Sequence, residues 1–356
     1  MSDNKALIAM SGGVDSSVAA YLMLRSGFDC AGATMQLCDK ALLGKDPADN
    51  AEDARSVAQR LGMDFYVFDH TADFRKMVVD CFIQCYEQGG TPNPCIDCNR
   101  HLKFDALLQK ALSLGYDYIA TGHYARITQD PDTGHYLLMR AADQAKDQTY
   151  FLSCLTQQQL AHTKLPLGAM TKEQVRQIAE SQGFVNARKR DSQDICFIPD
   201  GDYKAFMERY TGKQYPAGDF LDRNGNVIGQ HCGAVGYTIG QRKGLGIAMG
   251  EPVYVCSKDM QSNTVTVGSN NDLFRKTLRA KDWNWIPFSA LTQPIRVTAK
   301  VRYRHIEQPA TVYPEENGYA RVEFDDPQRA ITKGQAVVLY DGDLVVGGGT
   351  ITDVIL

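Results

Sequence analysis

Ala6-Leu7-Ile8-Ala9-Met10-Ser11-Gly12-Gly13-Val14-Asp15-Ser16-Ser17 decides the fold. Ala6 to Met10 are apolar without a break, which reads as a parallel strand buried on both faces. Gly12-Gly13 lets the backbone turn sharply and approach a ligand with no Cβ in the way. Asp15-Ser16-Ser17 reads as an N-cap cluster, and Val18 to Leu24 continue as a helix that Gly27 stops. Strand, glycine turn and helix N-terminus together aim several N–H groups and the positive dipole end at an anion. The spacing is neither G-x-x-x-x-G-K-[ST] nor G-x-G-x-x-G.

The next residues alternate in the same way. Phe28 to Leu37 reads as a strand, Ala51 to Leu61 as a helix, and Asp64 to Phe68 as a third strand. Helical patterns cover Thr71 to Gln88 and Asn99 to Leu114, and Tyr116 to Thr121 is a fourth strand ending in Gly122-His123. Such alternation implies a doubly wound parallel sheet with its ligand crevice at the C-terminal strand ends. Ser11–Ser17 and Thr121–His123 then face one crevice, and Met35 points there as well. Plain core packing is the competing reading for Met35 and His123.

Beyond residue 124 the pattern changes. Tyr124 to Thr128 and His135 to Arg140 read as a hairpin, and Thr171 to Gln182 as a helix capped by Thr171 and stopped by Gly183. Asn224-Gly225, Asn317-Gly318 and Asp341-Gly342 each sit between alternating apolar runs, a strong hairpin signal. The expected organisation is multidomain α/β plus β. Residues 1–212 form a catalytic α/β domain, 213–275 a small β-rich domain, and 276–356 a C-terminal antiparallel β-barrel. No apolar run in the 356 residues approaches the roughly 20 needed to span a bilayer. No signal peptide is legible, and ten cysteines in such a chain read as reduced thiols. The expectation is a cytoplasmic enzyme with no membrane partner.

Cys95-Ile96-Asp97-Cys98 follows Thr91-Pro92-Asn93-Pro94 and opens the Asn99 helix, where a helix N-terminus favours a thiolate. Cys196 follows Arg188-Lys189-Arg190, whose charge favours the same state. Three readings stand open: a sulfur-handling pair of Cys98 and Cys196, a structural zinc site on Cys81, Cys85, Cys95 and Cys98, or an iron–sulfur cluster on Cys95, Cys98 and Cys196. Cys30, Cys38, Cys154, Cys232 and Cys256 read as buried small residues. The net charge of −4 argues mildly against a nucleic-acid partner, but from Phe274 to His305 eight Lys/Arg residues stand against Asp282 alone. With Trp283, Trp285 and Tyr303 interleaved, that stretch is a candidate phosphate-binding surface.

The S-G-G-x-D-S-S turn resembles the pyrophosphate loop of ATP pyrophosphatases, which split ATP between the α and β phosphates. The whole chain from Ala6 onward resembles the tRNA-specific 2-thiouridylase family. The likeness rests on Ser11 to Ser16, Thr91 to Pro94 with Cys98-Asn99, Ala120 to Tyr124, and Lys146-Asp147-Gln148. It continues through Asp191-Ser192 with Ile195 to Ile198, Gly240 to Gly246, and Arg302-Tyr303. The resemblance implies transfer of sulfur to C2 of the wobble uridine, position 34, after ATP adenylates its O2 and pyrophosphate leaves. It places ATP, with Mg2+, on Ala9, Met10, Ser11, Gly12, Gly13, Val14, Asp15, Ser16, Met35 and Gly122. It makes Cys196 the persulfide carrier and Cys98 the nucleophile, closing a transient Cys98–Cys196 disulfide. It assigns tRNA contacts to His123, Lys146, Asp147, Gln148, Arg302, Tyr303 and Gln335.

Partners so implied are the Glu, Gln and Lys tRNAs and a persulfide donor, such as a cysteine desulfurase or a sulfur-relay protein. One departure matters. Typical members carry Asp three residues before the nucleophile, where this chain has Cys95, and a thiol cannot simply replace a carboxylate. Either Asp97 or a water takes that task, or this is a C-x-x-C member with a [4Fe–4S] cluster on Cys95, Cys98 and Cys196. Two other classes stay open: an ATP pyrophosphatase adenylating a small metabolite, and a zinc-stabilised, nucleotide-gated RNA-binding protein.

Overall fold

The computed structural model describes residues 4–43, 50–189, 195–247 and 250–355. The strands β1 (Lys5–Ala9), β2 (Asp29–Gln36), β3 (Asp64–Asp69) and β4 (Tyr118–Ala120) pair in parallel. Two short pieces follow: β5 (Arg126–Gln129) with β6 (Tyr136–Met139), and β7 (Thr163–Lys164). The first sheet runs β3-β2-β1-β4-β7, so strand order reverses between β1 and β4. That reversal opens a crevice at their C-terminal ends. Ala6, Leu7 and Ile8 are completely buried, as their unbroken apolar run requires.

Helices cover the sheet: α1 (Val14–Arg25), α2 (Asn50–Arg60), α3 (71–87), α4 (94–113), α5 (Lys172–Ser181) and α6 (Tyr203–Thr211). Thr171 caps α5 in a reciprocal capping box with Gln174. The helix α4 begins earlier than the sequence suggests. Pro94 sits in its first turn, where the missing N–H costs nothing, so Cys95 and Cys98 lie inside the helix. It is α-helical over Pro94–Cys98, widens to a π-turn over Asn99–Ala106, and becomes α-helical again over Leu107–Ser113. At α1 the cap is Gly13, with no side-chain cap bond. Asp15, Ser16 and Ser17 stand in the first turn, and both serines donate back to the Gly13 carbonyl at 3.0 and 3.1 Å.

A second sheet, β10-β11-β8-β9, is built from β8 (Gly218–Leu221), β9 (Val227–His231), β10 (Tyr254–Asp259) and β11 (Thr264–Gly268). The C-terminal strands are β12 (Phe274–Trp285), β13 (Ile295–Lys300), β14 (Gln308–Pro314), β15 (Ala320–Arg329), β16 (Ala336–Asp341) and β17 (Leu344–Ile355). They run antiparallel in the order β12-β15-β14-β13-β16-β17, and β12 pairs with β17 to close a barrel. Asn224-Gly225, Asn317-Gly318 and Asp341-Gly342 supply the positive φ their hairpins need. The β5–β6 hairpin joins this barrel sheet, Met139 facing Leu344 of β17. Barrel and α/β unit also meet at the approach to α4, where Thr91 N–H donates to the Lys333 carbonyl at 2.8 Å.

Candidate functional site

Gly12 takes φ +70°, and the Ser11–Ser16 turn closes on itself through Ser11 N–H to Ser16 Oγ at 3.2 Å. Thr34 Oγ1 donates to the Met10 carbonyl at 2.6 Å, tying the turn to β2. The side chains of Met10 and Val14 are buried in the core, so both offer the crevice only backbone. Met35 is half-buried between two core clusters. A Cβ on Gly122 would stand 2.7 Å from Asp15 C and Ser16 N, so the end of β4 presses directly on the first turn of α1.

Four side chains that sequence reading did not assign to the turn hold it from outside. Lys172 Nζ bridges both Asp15 carboxylate oxygens at 2.7 and 2.8 Å, and Tyr124 OH donates to the same carboxylate at 2.8 Å. Asn186 Nδ2 donates to the Gly12 carbonyl at 3.1 Å and Ser17 Oγ at 2.9 Å. Lys189 Nζ reaches Gly12 O at 3.3 Å and Asp53 at 2.7 Å. These are contacts across more than 100 residues, with no local pattern to announce them. The result is a closed loop at a helix N-terminus, suited to a phosphate chain.

Cys98 is buried, Cys95 and Cys196 are exposed, and Cys38, just beyond β2, is half-buried. Cys38 and Cys98 belong to one apolar cluster with Ile195 and Phe197, the neighbours of Cys196. A hydrogen bond from Cys38 is the main cause holding the Cys196 thiol down near 7, with Lys103 assisting against burial. The same bond, and then burial, push the Cys38 thiol far up. Burial drives Cys98 up to about 11 despite Lys103. The helix-terminus argument for a Cys98 thiolate therefore fails: at Cys98 desolvation outweighs the dipole. Cys196 is the thiol held below its usual range, and Arg188 and Lys189 are not among the causes. Arg188 pairs with Glu180, and Lys189 serves the loop. Arg190 and the Asp191-Ser192 motif lie outside the described residues.

Cys38 thus leaves the group of inert cysteines. Of the others, Cys30 and Cys154 are buried, Cys256 is half-buried, and Cys232 is exposed. Lys103 also bears on His123, tying the thiols to the end of β4. Burial, aided by Lys103, pushes His123 down to about 3, so the ring is neutral. Its Nδ1 lies 2.8 Å from Thr121 Oγ1. Asp97 is pushed up to about 6 by burial, with Arg100 opposing. Among the described residues no three His, Cys, Asp or Glu side chains are gathered to hold a metal ion, so neither the zinc set nor the Cys95/Cys98/Cys196 cluster set is assembled.

The remaining candidates are largely committed to internal bonds. Asp147 is buried and accepts from Ala141 N–H at 3.0 Å and Thr149 Oγ1 at 2.5 Å. Gln148 clamps Tyr124 by two bonds of 2.9 Å, and Lys146 stands half-exposed beside it. Gln335 Nε2 donates to the Thr91 and Pro92 carbonyls at 3.0 Å, bracing the start of α4. Arg302 Nη2 donates to Ile239 O, Ala330 O and Thr332 Oγ1, while its buried Nε has no partner. Tyr303 packs on Phe151 with ring centroids 4.4 Å apart.

The basic run between Phe274 and His305 is also less open than its composition suggests. Arg279 pairs with Glu315 and Arg296 with Asp325, acids supplied by the β14–β15 hairpin connection and by β15. Trp283 and Trp285 stack on each other at 4.7 Å and pack against the barrel core. Lys276, Lys281 and Arg304 remain exposed.

Sheet, turn and crevice define a nucleotide-binding α/β protein of the pyrophosphate-loop class. Residues 4–200 match the family model described as tRNA methyl transferase HUP domain, 204–269 the tRNA methyl transferase PRC-barrel domain, and 275–351 the aminomethyltransferase beta-barrel domain. The tRNA-specific 2-thiouridylase MnmA of Acetivibrio thermocellus is 51% identical over 99% of this chain and 100% of its own length. That of Moorella thermoacetica is 50% identical over 98% and 99%. The chain belongs to the tRNA-specific 2-thiouridylase family. Among solved structures, a 4-thiouridine synthetase–RNA complex with bound ATP aligns at 19% identity and TM-score 0.39, over 55% of this chain and 45% of its own. The U34-tRNA thiolase NcsA of Methanococcus maripaludis, solved with its [4Fe–4S] cluster, aligns at 15% and 0.35 over 60% and 72%. No helix among the described residues is long and apolar enough to cross a membrane.

Proposed function

We propose that the chain thiolates C2 of the wobble uridine of tRNA at the expense of ATP. The observation that carries this reading is the closed phosphate-binding turn at the end of β1, in a chain whose Cys196 thiol is held down while burial pushes Cys98 up. The full-length relatives support it. The methyl-transfer wording of the family models suits such a site poorly, since a pyrophosphate loop and two thiols serve adenylation and sulfur transfer.

ATP lies along Ala9–Ser16, Met35 and Gly122, and Mg2+ enters with its phosphates near Asp15, whose carboxylate Lys172 neutralises. Uridine O2 attacks the α-phosphorus and pyrophosphate leaves, which turns a poor leaving oxygen into a good one. Cys196, the thiol held below its usual range, accepts a sulfane sulfur from a desulfurase or relay protein. The terminal sulfur attacks C2 and AMP departs with the C–O bond. Cys98 then gives up its proton and attacks Cys196 Sγ. The S–S bond to the base breaks, the thiocarbonyl forms, and a Cys98–Cys196 disulfide remains. Asp97, near 6, is the acid–base group in place of the carboxylate that Cys95 displaces. No step is routed through iron or zinc.

His123, Lys146–Gln148, Arg302, Tyr303 and Gln335 shape the tRNA face, the last by bracing α4. The domain limits 1–212, 213–275 and 276–356 go with this division of labour, and the Glu, Gln and Lys tRNAs are the substrates to test. Pyrophosphate release should require unmodified tRNA. Cys196→Ser should abolish 2-thiouridine while leaving tRNA affinity nearly intact. Release of pyrophosphate without RNA, or 2-thiouridine made by Cys196→Ser, refutes the reading.

A further inference from the structure

Asp15 stands in the first turn of α1, inside the phosphate turn, yet its carboxylate is held by two residues from far along the chain. Tyr124 OH donates to Asp15 Oδ1 at 2.8 Å, and Lys172 Nζ donates to both carboxylate oxygens at 2.7 and 2.8 Å. Both holders are enclosed: Tyr124 is 2% exposed and the Lys172 side chain 10%. Lys172 Nζ also lies 5.9 Å from the centre of the Tyr124 ring, so the two arms support each other. The turn carries no lysine of its own, and this ammonium from α5 supplies a cation to it.

The far ends of both arms lie on one segment, residues 143–148. Gln148 Oε1 accepts from Tyr124 N–H and Gln148 N–H donates to the Tyr124 carbonyl, each at 2.9 Å. Asp143 Oδ2 accepts from Lys172 N–H at 3.0 Å. Between these ends Lys146 N–H closes a turn on the Asp143 carbonyl at 3.0 Å, and Gln144 and Ala145 are exposed. Buried Asp147 anchors the segment through Ala141 N–H and Thr149 Oγ1. A short exposed turn therefore grips, by its two ends, the two side chains that set the Asp15 carboxylate.

We propose that Tyr124 and Lys172 are positioning residues that join RNA seated on residues 143–148 to the ATP turn through Asp15. RNA resting on the exposed turn fixes Asp143 and Gln148, and these fix Lys172 and Tyr124. Asp15 and the N–H groups around it then need less ordering to take the phosphates. ATP and tRNA each bind more tightly in the presence of the other, and by the same factor.

This inference rests on the tRNA face proposed above, and the experiment separates the two. α,β-Methylene-ATP, which cannot be split between the α and β phosphates, is titrated with Mg2+ into the full chain, alone and saturated with unmodified tRNA. Amide hydrogen exchange of residues 12–17 and 143–148 is followed in the same samples. The native chain should bind the analogue at least about fivefold more tightly with tRNA, the low end of such couplings, with exchange slowed in both segments. Tyr124→Phe combined with Asp143→Ala cuts one bond in each arm and should bring that ratio to within about twofold of one. Exchange at 143–148 should still slow with tRNA in this variant, while exchange at 12–17 should not. Asp143→Asn, whose side-chain oxygen still accepts from Lys172 N–H, should restore the native ratio when Tyr124 is present. A double variant that binds the analogue more weakly but keeps the native ratio has lost structure only, and overturns the proposal. A native ratio of one, with 143–148 protected by tRNA, overturns it as well. Failure of tRNA to bind, or to protect 143–148, overturns it together with the tRNA face.

Discussion

Gly122→Ala tests whether β4 sets the position of the phosphate turn. The new Cβ would stand 2.7 Å from Asp15 C and Ser16 N and 3.0 Å from Asp15 Cβ. Ordinary contact begins near 3.4 Å, so the first turn of α1 must retreat by about 0.7 Å. The obstructing atoms are mainly backbone, and no flexible side chain can yield instead. A retreat of that size lengthens an N–H···phosphate bond from about 2.9 to about 3.6 Å, outside hydrogen-bonding range. Each such bond to a charged group contributes about 1.5–3 kcal/mol. Loss of one bond therefore weakens ATP binding by at least about tenfold, since 1.4 kcal/mol is a factor of ten. If the chain does not retreat, the overlap costs about 1–3 kcal/mol of stability instead. Titration calorimetry with ATP, thermal unfolding and tRNA binding should show one of the first two changed and the third intact. A variant with native ATP affinity and native melting temperature would show that strand and turn do not press on each other.

Two further changes test the electrostatics of α4. The folded-state pKa of Asp97 lies near 6 against an ordinary 3.8, so the folded chain binds the proton more tightly and stability falls as pH rises from about 4 to about 6. Asp97→Asn should then be more stable than the native chain at pH 7.5, by up to about 3 kcal/mol at 1.36 kcal/mol per unit, and no more stable near pH 4. Urea denaturation at the two pH values checks this, and an equal effect at both refutes it. Lys103→Met should raise the midpoint of Cys196 alkylation by iodoacetamide by about one unit, a typical effect of one nearby charge. An unchanged profile removes Lys103 from the site.

The phosphate turn, the parallel strands and the hairpins were legible because each is specified within a dozen residues. An apolar run makes a buried strand, and Asn-Gly makes a tight turn, wherever the rest of the chain lies. The candidate site was legible only in part, because its properties are sums over distant groups. At Cys98 the helix terminus and burial act in opposite directions, and only the packed cluster shows that burial prevails. The basic run of β12 and β13 looked like an open phosphate surface because a linear window omits the neighbouring strands. Glu315 and Asp325, which pair with Arg279 and Arg296, enter from the hairpin around 315–319 and from β15.

Lys103 shows most directly how local winding creates chemistry. It lies five residues beyond Cys98, and in a regular α-helix that spacing turns a side chain about 140° away. The π-turn over Asn99–Ala106 bonds residue i to i+5, so one turn now spans the interval and Lys103 comes round toward Cys98. The same ammonium favours the anionic form of Cys196 and the neutral form of His123. A single cation placed by one widened turn thus helps lower the Cys196 thiol, opposes the effect of burial on Cys98, and adds to the burial that keeps the ring at the end of β4 uncharged. On the same helix Asp97 is the carboxyl group that burial pushes up to about 6, with Arg100 opposing.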